Sequence, residues 1–255
     1  MKQVCQVCNN YCELEEGQAG RCRARRNING KIVSENYGKI TSMALDPIEK
    51  KPLRRFYPGS QILSVGSYGC NLNCPFCQNY EISFSNGRDV HIVDVMPQEL
   101  LKQALALRNK GNIGVAFTYN EPLIGYEYVR DASCLVHEAG MKNVLVTNGA
   151  ATIETLWQVL PYIDAMNIDL KGFTREYYEM LGGILGAVKE FIRTAAENCH
   201  VELTTLIVPG ENDSPREMRE LSEWIASVDP EIALHVTRFF PKWKMKDRNA
   251  TDIGQ

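Results

Sequence analysis

From about residue 61 onward the chain switches between two hydrophobic rhythms. Short runs rich in β-branched and other apolar residues predict strands at Ile62–Ser67, Gly114–Tyr119, Asn143–Thr147, Ala165–Leu170, Val201–Val208 and Ala233–Phe239. Longer amphipathic stretches between them predict helices over Pro97–Asn109, Leu123–Ala139, Ile153–Leu160, Arg175 to about Ala196, and Pro215–Ser227. Ser214-Pro215 supplies a cap and a first-turn proline, and Gly140 is placed to end the second helix. Strands alternating with helices predict an α/β fold with a parallel sheet. Right-handed crossovers allow an open doubly wound sheet or a full or partial barrel, and spacing does not choose between them. Either arrangement places ligands at the C-terminal ends of the strands.

The first sixty residues follow neither rhythm. Cys5–Arg26 is too polar and too rich in cysteine to build an apolar core. The Asn29-Gly30 turn leads into a short candidate strand, Lys31–Ser34. Asp46–Ser60, rich in charge and proline, reads as an extended crossing segment. The expected organisation is a cysteine-rich metal-binding segment (1–35), a connector (36–60) and the main domain (61–255).

Composition narrows the class. The 255 residues are 44% hydrophobic, with 28 basic and 31 acidic side chains and a net charge of −3. That balance excludes a disordered chain and gives no support to nucleic-acid binding through bulk positive charge. No apolar run is long enough to span a bilayer, and Met1-Lys2-Gln3-Val4-Cys5 lacks a signal-like apolar region. The expectation is a cytoplasmic protein.

Nine cysteines are many for that compartment, and they are clustered. Cys70-Asn71-Leu72-Asn73-Cys74-Pro75-Phe76-Cys77 directly follows a predicted strand. Soft thiolates at such short spacings suit an iron–sulfur cluster held by one loop. Three ligands leave one iron of a 4Fe–4S cluster open to a substrate or cofactor. A structural zinc with a distant fourth ligand, or buried free cysteines, would also account for the spacing.

This loop resembles the defining motif of the radical S-adenosylmethionine (SAM) superfamily. Asp46-Pro47-Ile48-Glu49-Lys50-Lys51-Pro52-Leu53, Phe56-Tyr57-Pro58-Gly59-Ser60, Gly69-Cys70-Asn71 and Cys77-Gln78-Asn79 are similar to homologues of pyruvate formate-lyase activating enzyme. Within them they most resemble the radical SAM member of the AmmeMemoRadiSam system. The resemblance runs from about Cys5 to the last residue, and it implies a partial (β/α)6 TIM-like barrel. It also implies that Cys70, Cys74 and Cys77 hold a 4Fe–4S cluster whose open iron binds SAM. Reductive cleavage then gives methionine and a 5′-deoxyadenosyl radical, which abstracts hydrogen from a substrate.

Further residues follow by the same resemblance. Asn120 and Glu121, in Thr118-Tyr119-Asn120-Glu121-Pro122, occupy the place of a glycine-rich motif that binds the SAM ammonium, although Asn120 is equally placed to cap a helix. Thr147 and Asn148 would lie near the ribose or carboxylate, where an ordinary strand-to-helix turn is the plainer reading. Asp169 and Lys171 share a strand face and would contact SAM, or form a simple ion pair. Val208 and Phe76 would flank the adenine, or merely pack. Whether His235 or Phe240 lines the SAM site is left open. Family members continue beyond residue 255, and Ala250–Gln255 look like the start of a helix.

Cys5, Cys8, Cys12 and Cys22 form a second set of four thiols. A closed structural zinc site is the expectation, with a second 4Fe–4S cluster as the alternative. Arg23, Arg25 and Arg26 read as a solvated basic patch, with an anionic partner as the alternative. Taken together, the residues point to a radical SAM enzyme acting on a small molecule or partner protein, reduced by a flavodoxin or ferredoxin. The alternatives are a glycyl radical activase and a zinc-stabilised, non-catalytic binding module.

Overall fold

Seven strands make the central sheet of the computed structural model, which describes residues 1–254. They are β1 (Ser42–Pro47), β2 (Gln61–Gly66), β3 (Asn112–Phe117), β4 (Lys142–Thr147), β5 (Ala165–Asp169), β6 (His200–Ile207) and β7 (Leu234–Arg238). Their order in the sheet is their order in the chain. β1 runs antiparallel to β2, and every later neighbour is parallel. A doubly wound sheet would reverse direction at a switch point. This one coils continuously, so it is a partial TIM-like barrel.

The inner strands are buried on both faces, as parallel strands covered by helices must be. Ala165, Met166 and Ile168 of β5 are fully buried, and so are Val144 and Leu145 of β4. Helices Pro97–Ala106, Tyr126–Glu138, Ile153–Val159, Leu185–Ala196 and Pro215–Val228 pack outside. Their apolar faces, including Leu100, Val136, Leu156, Phe191 and Leu221, complete the core. Ser214 caps the last helix by accepting from the Glu217 N–H. The long helix expected from Arg175 to Ala196 is two helices, because Gly182 adopts a left-handed φ of 78° and ends Arg175–Leu181.

β1 was not apparent from the sequence. Its six residues pair with β2, so the sheet starts inside the stretch read as a connector. The stretch that follows crosses beneath the barrel. Glu202 of β6 accepts the backbone N–H groups of Arg54 and Arg55 at 3.0 and 2.8 Å, and Asn167 of β5 donates to the Pro52 carbonyl at 2.9 Å. His235 bonds Glu202 at 2.6 Å and belongs to this floor.

Asp46 anchors the same floor. It accepts from buried Lys51 at 2.9 Å and from the Tyr119 hydroxyl at 2.9 Å. Burial alone would raise its pKa, but hydrogen bonds from Lys51, Lys50 and Tyr119 outweigh it and hold the carboxyl below the usual carboxylate range. This contribution is therefore present above the ordinary Asp pKa and lost only in stronger acid. Asp46→Ala should cost about 3–5 kcal/mol by leaving the Lys51 ammonium buried and unpaired. Denaturant unfolding measures this, and a loss below about 1 kcal/mol, the range of an exposed pair, would show that the pair is effectively solvated.

The expected helix at Ala250–Gln255 does not form over residues 250–254. Thr251 instead bonds back to the sheet, accepting from the Phe239 N–H and donating to the Ile207 carbonyl. Gln255 lies outside the described residues. Among the described residues no helix is long and apolar enough to cross a membrane.

Candidate active site

The loop after β2 carries Cys70, Cys74 and Cys77 onto the C-terminal end of the barrel. Gly69 makes the approach possible. Its φ is +89°, and a Cβ there would strike the Cys22 carbonyl oxygen. A cavity of about 280 Å³ opens above the sheet and is lined by all three cysteines together with Phe76, Asn120, Glu121, Thr147, Asn148, Asp169 and Lys171. These residues come from the ends of four strands, which only the barrel brings together. Val208, expected at the adenine side, is fully buried and is not among the cavity-lining residues. His235 and Phe240 are not among them either; Phe240 is exposed, and its carbonyl accepts from Gln78.

Glu121 is the most connected of these groups. One oxygen accepts from the Thr147 hydroxyl at 2.8 Å and the Leu123 N–H at 3.1 Å, and the other from the Asn148 N–H at 2.8 Å. A carboxylate has about four acceptor positions. One therefore remains to face the cavity. Burial raises the Glu121 pKa to about 7, against the pull of those three donors. The helix cap in this motif is Glu121 and not Asn120. Asn120 instead accepts from the Ser67 N–H and donates to the carbonyls of Tyr68 and Gly69. Its amide braces the cysteine loop while the residue also lines the cavity.

Asn148 donates to Asn71 at 2.9 Å and lies 3.7 Å from the Cys70 sulfur. Lys171 and Asp169 form a 2.7 Å ion pair. Burial acts to lower the Lys171 pKa, but the Asp169 carboxylate beside it overcomes this and holds the ammonium charged. Burial pushes the Cys74 thiol up to about 12.

Several cavity residues were given no role by the sequence. Tyr119, Val146, Thr204, Leu206 and Thr237 also line it. Thr204 and Leu206 share a face of β6 at period two, which is the one signal in the chain that could have found them. Tyr119 holds a left-handed φ of 73°, uncommon for an aromatic residue. Its carbonyl accepts from Asn79 at 2.7 Å, and Gly66 leaves room for its ring, since a Cβ at Gly66 would collide with it.

The donor chemistry fits an iron–sulfur cluster and its cofactor. Three soft sulfurs from one loop face a cavity whose far wall offers a carboxylate, an ammonium and hydroxyls. Among the described residues no three His, Cys, Asp or Glu side chains close tightly enough to hold a single metal ion. Neither cysteine set forms a ready-made single-ion site, although Cys5, Cys12 and Cys22 lie near enough to Cys8 to act on it electrostatically. Arg25 and Arg26 are not a solvated patch: Arg25 is buried against Glu127, and Arg26 pairs with Glu35 at 2.8 Å.

The family model for the radical SAM superfamily matches residues 64–222. The chain belongs to the radical SAM superfamily. It is therefore a radical SAM enzyme, and the superfamily implies a 4Fe–4S cluster and SAM. An uncharacterized protein of Methanocaldococcus jannaschii is 38% identical over 98% of this chain and 74% of its own length. The indoleacetate decarboxylase activating enzyme of Tractidigestivibacter scatoligenes is 24% identical over 58% of this chain and 47% of its own. The chain thus matches about half the length of that activating enzyme. The fold is shared with Streptococcus suis SuiB bound to precursor peptide SuiA, at a TM-score of 0.55 and 16% identity, covering 71% of this chain and 40% of that one. The family match, residues 64–222, falls on the barrel described above.

Proposed function

We propose that Cys70, Cys74 and Cys77 ligate the 4Fe–4S cluster and that SAM occupies the adjoining cavity. The observation that carries this reading is the meeting of three loop thiols with buried Glu121 and the Asp169–Lys171 pair around one cavity. Bound there, cluster and SAM supply a 5′-deoxyadenosyl radical for hydrogen abstraction. The protein's part is to bind, orient and exclude water. Glu121, through its remaining acceptor position, and Asp169 would meet the SAM ammonium. Lys171 would meet an anionic group such as the carboxylate, with Thr147 and Asn148 beside it, and Phe76 would pack against the base. Tyr119, Thr204 and Thr237 would add hydroxyl groups to the wall facing the substrate.

In this reading the protein is a cytoplasmic radical SAM enzyme of the AmmeMemoRadiSam type, reduced by a flavodoxin or ferredoxin. It acts on a small molecule or a partner protein. The N-terminal thiols would hold a structural zinc ion, or alternatively a second cluster. Glycyl radical activation is the second reading, favoured by similarity to the activating enzymes. Against it, Cys77 is followed by no further cysteine pair, only by isolated Cys134 and Cys199.

Anaerobic reconstitution with iron and sulfide tests the main reading. The protein should turn brown and, with a strong reductant, release 5′-deoxyadenosine from SAM. Absence of both in a folded, iron-loaded protein overturns it. A glycyl radical signal raised on a partner enzyme would select the second reading.

A further inference from the structure

The N-terminal thiols do not stand apart from the central loop. Cys5, Cys8 and Cys22 are buried and Cys12 is partly so. Backbone N–H groups lie against two of them: that of Asn10 on Cys8, and those of Ala24 and Arg25 on Cys22.

Arg25 adds an independent sign that an anionic centre belongs here. It is 3% exposed. Its two terminal nitrogens bond Glu127 at 2.8 and 2.7 Å, and one also reaches the Ile124 carbonyl. Its Nε–H is buried with no acceptor, and the guanidinium is close enough to Cys5 to interact with it electrostatically. A buried unpaired donor costs about 1–3 kcal/mol. A filled four-thiolate site nearby would offer the sulfur acceptor that this donor lacks.

The same segment forms one wall of the central loop. Asn10 donates to the Asn71 carbonyl at 2.9 Å, next to Cys70. The Cys22 carbonyl fills the space that a Gly69 side chain would need. Cys8 pairs as a β-bridge with Ala151, and Asn71 donates to Ala150 at 3.2 Å. The N-terminal knuckle therefore touches both loops that frame Cys70. Its buried apolar residues are few, chiefly Cys5, Val7 and Leu14 with Cys22 and Ala24, and four of its thiols gather among them, so a bound metal would tighten it.

We propose that a thiophilic metal centre at Cys5, Cys8, Cys12 and Cys22 is the keystone of the central loop, so that cluster retention at Cys70, Cys74 and Cys77 depends on it. This rests on reading the two cysteine sets as metal sites. Asn10 is a positioning residue in this scheme, and Arg25 is the counter-charge.

Metal analysis by mass spectrometry, with EPR of the reduced central cluster, tests the proposal on anaerobically reconstituted full chain. Wild type should hold about four irons with one zinc, or about eight irons, the load of one or two cubanes. The double variant Cys8→Ser, Cys22→Ser should lose the N-terminal metal and also bind central iron at least about tenfold more weakly. The double variant Cys74→Ser, Cys77→Ser should lose central iron yet keep its N-terminal metal. Asn10→Ala leaves every thiol in place and covers the case in which the double variant unfolds. It should keep native circular dichroism, lose central iron severalfold and shift the EPR signal. Wild-type central iron and EPR in a folded Cys8→Ser, Cys22→Ser protein, or in Asn10→Ala, overturn the dependence. Wild type holding four irons and no other metal overturns the proposal differently, by removing the N-terminal site itself.

Discussion

Cys74→Ala is expected to abolish both the brown colour and the cleavage of SAM. Cys74 is 9% exposed and opens onto the cavity shared with Cys70 and Cys77. Burial holds its thiol neutral, at about 12, until a metal replaces the proton. Removing one of three sulfurs leaves two, too few in this loop to hold a cubane with one open corner. Iron per chain and 5′-deoxyadenosine by mass spectrometry report the two losses separately. Cys134→Ala is the matched control. Cys134 lies on the outer helix near Glu138, so its loss should change neither readout by more than about twofold, in keeping with a surface change remote from the site. Cleavage persisting in Cys74→Ala would refute the assignment of the loop.

Glu121→Ala should have the next largest effect, and it should act on both stability and turnover. The carboxylate satisfies the Thr147 hydroxyl and the N–H groups of Leu123 and Asn148, all in a buried setting. Each donor left unpaired costs about 1–3 kcal/mol. Asn148 in turn supports Asn71 and Cys70, so the damage reaches the loop. SAM cleavage should fall about 10–100-fold, the usual cost of losing such a support. Glu121→Gln separates charge from shape. It should retain most of the fold while weakening SAM binding, because its amide nitrogen cannot accept from the Asn148 N–H. A folded Glu121→Ala protein with unchanged cleavage would show that the brace is dispensable.

Much of the fold was legible because strand and helix periodicity is a local property. All six predicted strands appear within about two residues of their expected bounds, well inside ordinary boundary scatter. The choice between doubly wound sheet and barrel was not local. It depended on the order in which strands pair, which periodicity does not carry. β1 escaped for a related reason: Ser42–Pro47 has no β-branched or aromatic residue and ends in Asp46-Pro47, and only pairing with β2 makes it a strand. The split at Gly182 was written in the chain as Gly182-Gly183, and its meaning became plain from the left-handed φ.

At the site the division is similar. Spacing singled out three cysteines within eight residues as a candidate ligand set, and the family resemblance pointed them to a cluster rather than zinc. The setting of Arg25 was misjudged, and the bracing bonds of Asn120 went unseen, because hydrogen bonding depends on what lies opposite, here Glu127 and Ser67. Tyr119 went unnoticed as a cavity residue for the same reason; its partner Asp46 is 73 positions away in the chain.

By itself the amino-acid sequence determined the class of chemistry, the alternation of strands and helices, and the two sets of thiols. The tertiary structure decided that the strands coil one way, that the Asp46–Arg55 stretch closes the barrel floor, and that the N-terminal knuckle leans on the central loop. The physical reason is range. Ligand spacing and periodicity are set by covalent neighbours, whereas a buried hydrogen bond or ion pair forms only where folding removes water from two distant groups at once.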